Sequence, residues 1–546
     1  MIERWACDFE TYPNPHETYV WIWGAQNVET GEFIHGSNIN SFIDWSLEYN
    51  KHLYFHNLKF DGNFIASALF GRYNWEYVPK NPGNCQFSAV ISKQGKWYCM
   101  EMRKGDVLVK IFDSYKKLPF SLDVIAKAWD LGVLKGSIDY TKYREEGHTP
   151  TDEELEYLKG DCDILARALK ILFSQKLSKM TIGSDALNTY KKMMGKYFDY
   201  YFPKLSPECD AHIRKSYKGG WCYLNQEGEH GEGIVLDVNS LYPYAMTQLL
   251  PYGKPKYFKG KPETSKRYPL YTIRFVADFK LKEGMLPTIQ LKNQPHYFVG
   301  TEYIKDSKGP KELCLTSIDF KLFLEHYKIF DDIQYLDGYC FKAKEGMFKE
   351  YIDHWSSIKE NNTGAIRQTA KLMLNNLYGK FSKNPDITRK DLEFIDGIVK
   401  ERRGEYETGE TIYIPIGSFI TAQARNVTIR AAQANYERFI YADTDSLHLI
   451  GKQLPELNIH DSKLGCWAHE CDFTRSRHIR AKRYILTIKG NGGECFDNPV
   501  CAGLPANCKL AANWENFTDG MVFTGKLVPK AVKGGVYLEA TTFTMD

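Results

Sequence analysis

Residues 437–449 read ERFIYADTDSLHL, and the rest of the chain is organised around this stretch. Three apolar residues run into Asp443-Thr444-Asp445, and Leu447 and Leu449 then alternate with polar residues, which predicts a strand, a tight turn and a second strand. Asp is a poor strand former, and two like charges at a hairpin tip repel each other. A divalent cation at the turn would relieve that repulsion. The alternative is an ordinary Asp-rich turn, since Asp is common in turns.

A second stretch, residues 233–250, reads GIVLDVNSLYPYAMTQLL and predicts a short apolar strand that ends in Asp237. Ser240-Leu241-Tyr242-Pro243 then turns into a helical pattern. Asp237 supplies the carboxylate that Asp443 and Asp445 lack for a site that holds two cations. Two cations together can activate a hydroxyl group and stabilise charge on a transferred phosphoryl group.

Residues 346–385 predict two helices, 347–359 and 365–378, separated by the break Asn361-Asn362-Thr363-Gly364. One face of the second helix carries two cations, an amide and an aromatic ring, at Arg367, Lys371, Asn375 and Tyr378. Such a face suits a nucleotide, because cations bind the triphosphate and the ring can stack on the base. The alternative is a solvated cationic face beside an apolar stripe that packs inward.

The strings DVNSLYP, KLMLNNLYG and YADTDS, in this order, resemble the first palm motif, the fingers motif and the second palm motif of the family B DNA polymerases. The chain most resembles the protein-primed, phi29-type phage polymerases. That resemblance covers essentially the whole chain and includes LYFHNLKFDG, LKGSIDY, LLPYG, LPTIQ and WENF. It implies a multidomain α/β protein in which an RNase H-like 3′–5′ exonuclease domain precedes a right-hand palm, fingers and thumb polymerase domain with two insertions.

The resemblance also implies where the domains divide. In chain order they are the exonuclease (1–181), the first part of the palm (182–248), the first insertion, or terminal-protein region (249–346), the fingers (347–385), a second insertion that acts as a strand-displacement and processivity hairpin (386–415), the second part of the palm (416–501) and a small β-rich thumb (502–546). RNA-primed members of family B lack both insertions, so the insertions favour the protein-primed subgroup.

By the same resemblance, Asp237 and Asp445 bind two Mg²⁺ ions, with Mn²⁺ as an alternative, and the Val238 carbonyl and Asp443 support them. Tyr242 and Tyr378 flank the incoming nucleotide, and Tyr242 excludes a 2′-hydroxyl group. The remaining nucleotide contacts are Lys359, Arg367 and Lys371, which neutralise the triphosphate, and Asn375.

The first 181 residues hold a separate set of carboxylates. Asp8 and Glu10 share one face of a predicted strand, and Asp61 follows another strand. Thr151 and Glu154 predict a capping box before a helix on which Tyr157 and Asp161 share a face. Four carboxylates (Asp8, Glu10, Asp61 and Asp161) would hold two metal ions, and Tyr157 could orient the attacking water. A solvated or capping carboxylate is the alternative for each one alone.

DFET, NLKFD and YLKGD resemble the three exonuclease motifs of the same polymerases. This resemblance implies two Mg²⁺ ions at this site as well, and catalytic support from Lys135. It also implies contacts to single-stranded DNA from Asn57, Phe60, Ser114, Phe120 and Tyr140.

Further DNA contacts are implied along the polymerase part of the chain. SYKGGWCY (216–223) resembles the linker motif that coordinates synthesis with proofreading, although an ordinary Gly-Gly turn is the alternative. TAQAR (421–425) resembles a primer-template motif, and KRY (482–484) resembles the KxY motif that contacts the primer end. The implied residues are Tyr217, Gly219, Gly220, Ser240, Thr421, Arg425, Lys482 and Tyr484. Asn376, where the family usually has Ser, leaves the contact at that position in doubt.

Composition limits the alternatives. A chain of 546 residues suggests three to five domains, and a hydrophobic content of 43% with 25% charged residues is ordinary for a globular protein. A net charge of +3 means that affinity for nucleic acid comes from local patches. The sequence shows neither a secretory signal nor an apolar run of membrane-spanning length. The 13 cysteines are scattered, and a zinc site among Cys466, His469 and Cys471 fits no standard spacing.

These observations predict a DNA-directed DNA polymerase that replicates a phage genome from a protein primer, with proofreading and strand displacement. Its expected partners are primer-template DNA, single-stranded DNA, dNTPs and a terminal protein, and we expect a monomer in the cytoplasm of a bacterial host, away from membranes. Two alternatives remain, an RNA-primed family B polymerase and a catalytically silent DNA-binding replication factor. The intact carboxylates at both sites disfavour the silent factor.

Overall fold

The computed structural model describes residues 2–139, 142–290, 303–490 and 492–545. The N-terminal part of the chain alternates strands and helices, and three more helices follow it. These elements are β1 (Glu3–Thr11), β2 (Val20–Asn27), β3 (Phe33–Gly36), α1 (Ile39–Ser46), β4 (Lys51–Phe55), α2 (Asp61–Gly71), β5 (Glu76–Tyr77), β6 (Gln86–Ser92), β7 (Trp97–Lys104), β8 (Val107–Asp113), α3 (Leu122–Ala128), α4 (Asp152–Ser174), α5 (Ile182–Met194), α6 (Tyr197–Tyr201) and α7 (Pro207–Arg214).

The first sheet has the order β3-β2-β1-β4-β8-β7-β6, and β1, β4 and β8 run parallel to one another. Every residue of β2 (VWIWGAQN) is buried, so its apolar run marks a strand that is covered on both faces. Helix α4 packs against β1 and β2 and begins with the predicted capping box, in which Thr151 and Glu154 exchange side-chain and backbone hydrogen bonds. This cap fixes where the helix starts, and therefore which of its residues face β1.

The middle of the chain supplies strands to two different sheets. The elements of this part of the chain are β9 (Cys222–Leu224), β10 (Gly228–His230), β11 (Gly233–Val238), α8 (Leu241–Thr247), β12 (Leu250–Lys259), β13 (Leu270–Ala277), β14 (Phe279–Leu281), β15 (Lys311–Thr316), α9 (Ser317–His326), β16 (Tyr327–Ile329) and β17 (Gln334–Lys344). The sheet β12-β17-β13-β15 packs against α9 around its own apolar cluster, which includes Phe275, Phe320 and Phe323.

Two long helices, one short helix and a hairpin come next: α10 (Lys349–Asn361), α11 (Gly364–Asn376), the short α12 (Tyr378–Phe381), β18 (Asp386–Ile395) and β19 (Ile398–Thr408). The prediction of a single helix through Tyr378 was wrong, because the helix ends at Asn376 and Tyr378 opens the short α12. Leu377 between them keeps a helical backbone (φ −70°, ψ −50°), so the chain changes direction without unwinding.

The hairpin β18–β19 joins the first sheet. Arg389 and Lys390 of β18 pair antiparallel with Ser92 and Ile91 of β6. Pro415, which the sequence suggested as the far boundary of an added module, instead lies in the first turn of the next helix, where a proline costs no hydrogen bond. The hairpin therefore extends a sheet that begins almost 300 residues earlier in the chain, as the numbers of the paired residues show.

The remaining elements are α13 (Ile414–Ala434), β20 (Phe439–Asp443), β21 (Ser446–Ile450), β22 (Trp467–Arg480), β23 (Arg483–Lys489), β24 (Cys495–Cys501), α14 (Ala506–Ala511), β25 (Val522–Val532) and β26 (Gly535–Thr544). An antiparallel sheet runs in the order β24-β23-β22-β11-β21-β20-β9, which brings β11 between β21 and β22. The final hairpin β25–β26 reaches back to the N-terminal part of the chain, where the Thr18 N–H donates to the Lys533 carbonyl at 2.9 Å.

One apolar cluster runs through these parts of the molecule. It contains Leu169 of α4, Tyr190 of α5, Met373 of α11, Phe419 of α13 and Trp467 of β22. Because the cluster is continuous, the N-terminal sheet, the helices α10–α11 and the second sheet are held in fixed positions relative to one another. In the part of the chain that the structure describes, no helix is both long enough and apolar enough to span a membrane.

Candidate active sites

The carboxylate turn of the second sheet is fastened on both sides. The Val238 N–H donates to the Asp445 carbonyl at 2.9 Å, and the Thr444 N–H donates to the Trp221 carbonyl at 2.8 Å. Thr444 has φ +63°, the left-handed conformation that a tight hairpin turn requires. Asp237 pairs with Ser446 across β11 and β21, so the register of the sheet brings it to Asp445. Residues about two hundred positions apart therefore meet at one edge of the sheet.

The electrostatics of this turn favour a bound cation. Burial raises the pKa of Asp237 to about 7, and the nearby carboxylates of Asp445 and Glu470 add to the rise. Burial also raises the pKa of Asp445, and Asp443 and Glu470 again add to it. Both shifts mean that the folded protein holds negative charge here at a cost, which a divalent cation would remove.

Asp443 is placed differently from the other two carboxylates. The Lys482 ammonium group donates to both of its oxygens, at 2.9 and 2.7 Å. Lys482 therefore neutralises Asp443 and leaves Asp237 and Asp445 as the pair without such a partner at this turn. Among the described residues, no three His, Cys, Asp or Glu side chains form a closed metal site. Two carboxylates and a carbonyl suit Mg²⁺, which usually keeps waters and substrate phosphate oxygens among its ligands.

Glu470 is the residue at this site that sequence reasoning missed. The pairing of β11 with β22 shifts by one residue between Val235 and Leu236, and Glu470 is the extra residue of that bulge. Only the register of two strands distant in the chain reveals the bulge. His469, next to Glu470, contacts the Asp472 carboxylate at 2.7 Å.

The predicted nucleotide face closes on itself in this structure. The rings of Tyr242 and Tyr378 stack with centroids 4.1 Å apart and planes 13° from parallel. The Lys359 ammonium lies 3.4 Å from the Ser240 hydroxyl, and the Arg367 guanidinium donates to the Lys359 carbonyl at 2.6 Å. Burial lowers the pKa of Lys359, and the nearby cations Arg367 and Lys371 lower it further. Three cations that repel one another mark a site for a polyanion.

Asn375 and Asn376 have different surroundings at the end of α11. Asn375 is exposed, as a contact residue should be. The Asn376 amide donates to the Leu372 carbonyl of its own helix at 2.8 Å. The Asn376 side chain, which departs from the family motif, is therefore hydrogen-bonded to the backbone of its own helix, and the neighbouring Asn375 remains exposed.

The second candidate site is a cavity of about 680 Å³ that the N-terminal carboxylates line. Asp8 and Glu10 enter it from β1, Asp61 from the first residue of α2, and Asp161 from α4 beside Tyr157. Burial raises the pKa of Asp8 to about 7, and Asp161 adds to the rise. Burial raises the pKa of Glu10 and of Asp61 in the same way.

This cavity also holds a buried carboxylate oxygen that a cation could satisfy. The Asp161 Oδ2 atom accepts from the Lys135 ammonium group, whereas its buried Oδ1 atom has no hydrogen-bond partner in the described structure. A buried carboxylate oxygen without a partner is costly, and a metal ion would satisfy it. The far wall of the cavity is formed by the last hairpin, through Leu527, Val536, Tyr537 and Leu538.

The residues predicted to hold single-stranded DNA fall into two groups. Asn57 and Phe60 line the cavity, and Asn57 is held at φ +74° while its N–H donates to Asp113 at 3.0 Å. Ser114 is fully buried in this structure, and its contact with DNA stays a prediction. Its hydroxyl pairs with a ring nitrogen of His56, whose other ring nitrogen bonds to the Phe120 carbonyl. Tyr140 lies outside the described residues.

The linker packs directly on the catalytic turn. A Cβ atom on Gly220 would come within 2.5 Å of the Thr444 hydroxyl, so only glycine permits this approach. The neighbouring Tyr217 is half-buried against the main apolar cluster, and Gly219 lies next to it in the same loop. The close approach predicted for the Gly-Gly pair is therefore an approach to the turn that carries Asp443 and Asp445.

Two of the predicted primer-template residues are not surface contacts. Arg425 is buried; its guanidinium pairs with Asp319 and donates to the Lys218 and Gly219 carbonyls at 2.8 and 2.7 Å. Thr421 is also buried, and its hydroxyl bonds within its own helix. In this structure both side chains are engaged inside the protein, and their contacts with DNA stay predictions. Arg425 positions the linker backbone.

Lys482 and Tyr484 lie behind the catalytic turn. Lys482 has φ +61° and holds Asp443, while the Tyr484 ring packs on Tyr441 and on the buried His448 and His478. Arg483, the departure in the middle of the motif, donates to Asp519 at 2.7 Å. Arg483 therefore links β23 to the loop that precedes the last hairpin, while Lys482 pairs with Asp443 at the turn.

The sequence and the fold both match known proteins. The family model described as DNA polymerase type B, organellar and viral, matches residues 46–151 and 141–464. The chain is 43% identical to the DNA polymerase of Bacillus phage Nf over all of this chain and 99% of that protein. It is 42% identical to the DNA polymerase of Bacillus phage phi29 and 33% identical to that of Streptococcus phage Cp-1, with at least 98% of each chain covered.

The structural comparison agrees. A crystal structure of phi29 DNA polymerase superimposes with a TM-score of 0.96 at 42% identity, and both chains are covered completely. Its ternary complex with primer-template DNA and incoming nucleotide substrates superimposes with a TM-score of 0.95, again over both complete chains.

Proposed function

This chain belongs to the type B DNA polymerases of organelles and viruses and is a DNA-directed DNA polymerase; from that premise we propose that it starts from a protein primer, proofreads with a 3′–5′ exonuclease and displaces the downstream strand by itself. The observation that supports the polymerase site best is the half-buried pair Asp237 and Asp445, held together by the Val238–Asp445 hydrogen bond. We further propose that it acts as a monomer in the cytoplasm of a phage-infected bacterium.

At the polymerase site, Asp237, Asp445 and the Val238 carbonyl would hold two Mg²⁺ ions, which Mn²⁺ could replace. Such ions activate the primer hydroxyl and stabilise the charge that develops on the transferred phosphoryl group. Lys359, Arg367 and Lys371 bind the triphosphate, because their mutual repulsion disappears when a polyanion lies between them. Lys482 keeps Asp443 neutralised and thereby holds the turn in place.

Nucleotide entry requires the tyrosine stack to open. Tyr242 and Tyr378 occupy the space between α8 and α12 with their rings 4.1 Å apart. The incoming nucleotide separates them, Tyr378 then faces the base, and Tyr242 lies where a 2′-hydroxyl group would project. Ser240 precedes α8 in a left-handed conformation, φ +52°, which places Tyr242 at the start of that helix.

At the second site, Asp8, Glu10, Asp61 and Asp161 would hold the two metal ions for 3′–5′ cleavage. Tyr157 orients the attacking water, and the Lys135 ammonium group holds Asp161 in place through a hydrogen bond. Asn57 and Phe60 hold the frayed primer end in the same cavity. The Gly220–Thr444 contact joins the linker to the synthesis site, which supports a role for the linker in passing the primer between the two sites.

Protein priming is supported by the first insertion. Residues 249–346 include a sheet with an apolar cluster of its own around Phe275 and Phe323, as a separate docking module should. The proposal is that a hydroxyl group of a terminal protein accepts the first dNMP. It is tested by incubating the polymerase with Mg²⁺, labelled dATP and the protein encoded beside its gene. A labelled protein band supports the proposal, and use of oligonucleotide primers alone supports the RNA-primed alternative.

A single assay tests synthesis and proofreading together. The polymerase is incubated with a 5′-labelled primer-template and Mg²⁺, with and without dNTPs. We expect extension with dNTPs and shortening of the primer without them. An enzyme that neither extends nor shortens the primer would be the silent replication factor.

A further inference from the structure

A group of exposed and half-exposed tyrosines lies outside the cavity of the N-terminal carboxylates. Helix α6 (YFDYY) is anchored by Phe198, which is buried and packs near Tyr190. Tyr197 and Tyr200 on the same helix are 56% and 61% exposed, so they do little for its anchoring. Large aromatic rings left in water at adjoining positions indicate a binding surface.

The group continues from α6 onto the first strand of the insertion. The Tyr200 and Tyr201 ring centroids are 5.3 Å apart, and the Tyr252 ring of β12 lies 5.3 Å from Tyr201 and 6.3 Å from Tyr200. None of these rings is fully buried. The helix and the strand thus present one row of aromatic faces.

Cations surround the row. The Lys344 ammonium donates to the Tyr201 hydroxyl at 2.8 Å and lies 5.1 Å from the centre of that ring. Lys196 lies 5.6 Å from the Tyr197 ring, and Lys342 is the cross-strand neighbour of Tyr252. The carboxylate on the same helix is Asp199. The net charge of the surface is therefore positive.

We propose that this surface, formed by Tyr197, Tyr200, Tyr201 and Tyr252 with Lys196, Lys342 and Lys344 and here named the tyrosine patch, binds single-stranded DNA. Bases stack on tyrosine rings whatever their sequence, and lysines pair with the phosphates between them. An apolar surface on a protein partner would leave the lysines unpaired, and an acidic surface on such a partner would leave the exposed rings without an apolar contact. The patch shares no residue with either carboxylate site, since its residues lie on α6 or directly before it, on β12 and on β17.

The natural occupant in this geometry is a strand outside the catalytic clefts, such as the strand displaced during synthesis. Holding that strand on the enzyme would slow its return to the template. The tyrosine patch would then act during displacement and have no effect on a template without a downstream strand.

The experiment uses the full-length enzyme saturated with unlabelled primer-template. The probe is a circular oligo(dT) that contains 5-iodouracil; being circular, it offers no 3′ end to the exonuclease cavity. Its affinity is measured by fluorescence anisotropy, and its photo-crosslinks are located by mass spectrometry. We expect crosslinks at Tyr197 or Tyr200. Binding should be about a hundredfold weaker in Tyr197→Ser/Tyr200→Ser, since the loss of each stacked base weakens binding about tenfold.

Two further variants separate stacking from structural damage. Tyr197→Phe/Tyr200→Phe keeps the rings and should bind like the wild type. Tyr49→Ser removes a tyrosine that is 41% exposed beside Glu3 and should have no effect. Crosslinks confined to other surfaces, or unchanged affinity in the double serine variant, would overturn the proposal; unchanged affinity would also favour a protein partner. All variants should extend a short primed template normally.

Discussion

Glu401 fastens the hairpin β18–β19 to the N-terminal sheet, and its removal tests whether a docked hairpin is needed for strand displacement. Its carboxylate accepts from the Trp97 indole at 3.0 Å, lies 3.6 Å from Lys59 and accepts from Lys390 at 2.6 Å. Trp97 belongs to the N-terminal sheet and Lys59 to the turn between β4 and α2, whereas Lys390 belongs to the hairpin itself. Only the first two contacts therefore contribute to docking.

The size of the effect follows from those two contacts. In Glu401→Gln the amide oxygen still accepts from Trp97, but the bond loses its charge, which costs about 1 kcal/mol. The contact with Lys59 is partly exposed and screened, so its loss costs a few tenths of a kcal/mol. The sum of about 1.4 kcal/mol makes the undocked hairpin about tenfold more populated.

Backbone pairing of β18 with β6 and the stacking of Phe394 on Phe70, with centroids 5.3 Å apart, remain in the variant. The hairpin therefore stays folded and mostly docked. The expected result is a loss of displacement synthesis per binding event, up to tenfold in product length, while extension of a short single-stranded template is unchanged.

The assay is rolling-circle synthesis at limiting enzyme with a trap for released polymerase. Glu405→Gln, an exposed glutamate on the same strand, is the matched control and should behave like the wild type. Glu401→Lys adds a cation beside Lys59 and Lys390 and should be worse than Glu401→Gln. If both Glu401 variants make products of wild-type length in one binding event, docking of this hairpin has no part in displacement. Replacement of residues 387–414 by a Gly-Ser linker should cause complete loss of displacement.

Three other predictions follow. Asp443→Ala or Asp445→Ala should abolish extension at millimolar Mg²⁺ and keep 3′–5′ shortening; normal extension would refute the polymerase site. Asp8→Ala with Asp61→Ala should abolish shortening and keep extension; continued shortening by the pure double variant would place the nuclease elsewhere. Burial lowers the pKa of His448 to about 3 and that of His478 to about 2. Below pH 6.5 these two histidines therefore take up protons only in the unfolded state. Each histidine then lowers the free energy of unfolding by up to about 1.4 kcal/mol per pH unit. The rate of amide hydrogen exchange in β20–β22, divided by the intrinsic rate at each pH, should therefore rise from pH 7 to pH 5. The rise should be smaller in His478→Asn, and an equal rise in the variant and the wild type would contradict the prediction.

The family, the α/β fold class and the polymerase activity were predicted from short strings, and the comparisons confirm all three. Those strings suffice because each one carries its chemistry locally. YADTDS contains both its carboxylates and the residues that make its turn, and Thr151 and Glu154 contain a complete helix cap. The pattern of such a segment depends on neighbours within a few positions, which a sequence shows directly.

Contacts between distant segments were a different matter. Arg425 reads like a surface cation, yet Asp319, 106 positions away, and two linker carbonyls bury it. Ser114 reads like a DNA contact, yet it supports His56 from the interior. A polar residue shows the same letter whether it meets water or a buried partner, so burial was not readable from the sequence.

The amino-acid sequence by itself was enough to predict which groups do chemistry in this protein: the carboxylates, the lysines of the predicted fingers and the paired tyrosines. Only the tertiary structure decided what surrounds them. It placed Glu470 in a bulge beside Asp237, Lys482 on Asp443, Gly220 against Thr444, and the hairpin β18–β19 on β6. The physical reason is that strand register and sheet order join residues hundreds of positions apart, and a shift of one residue would send the side chains of a whole strand to the opposite face.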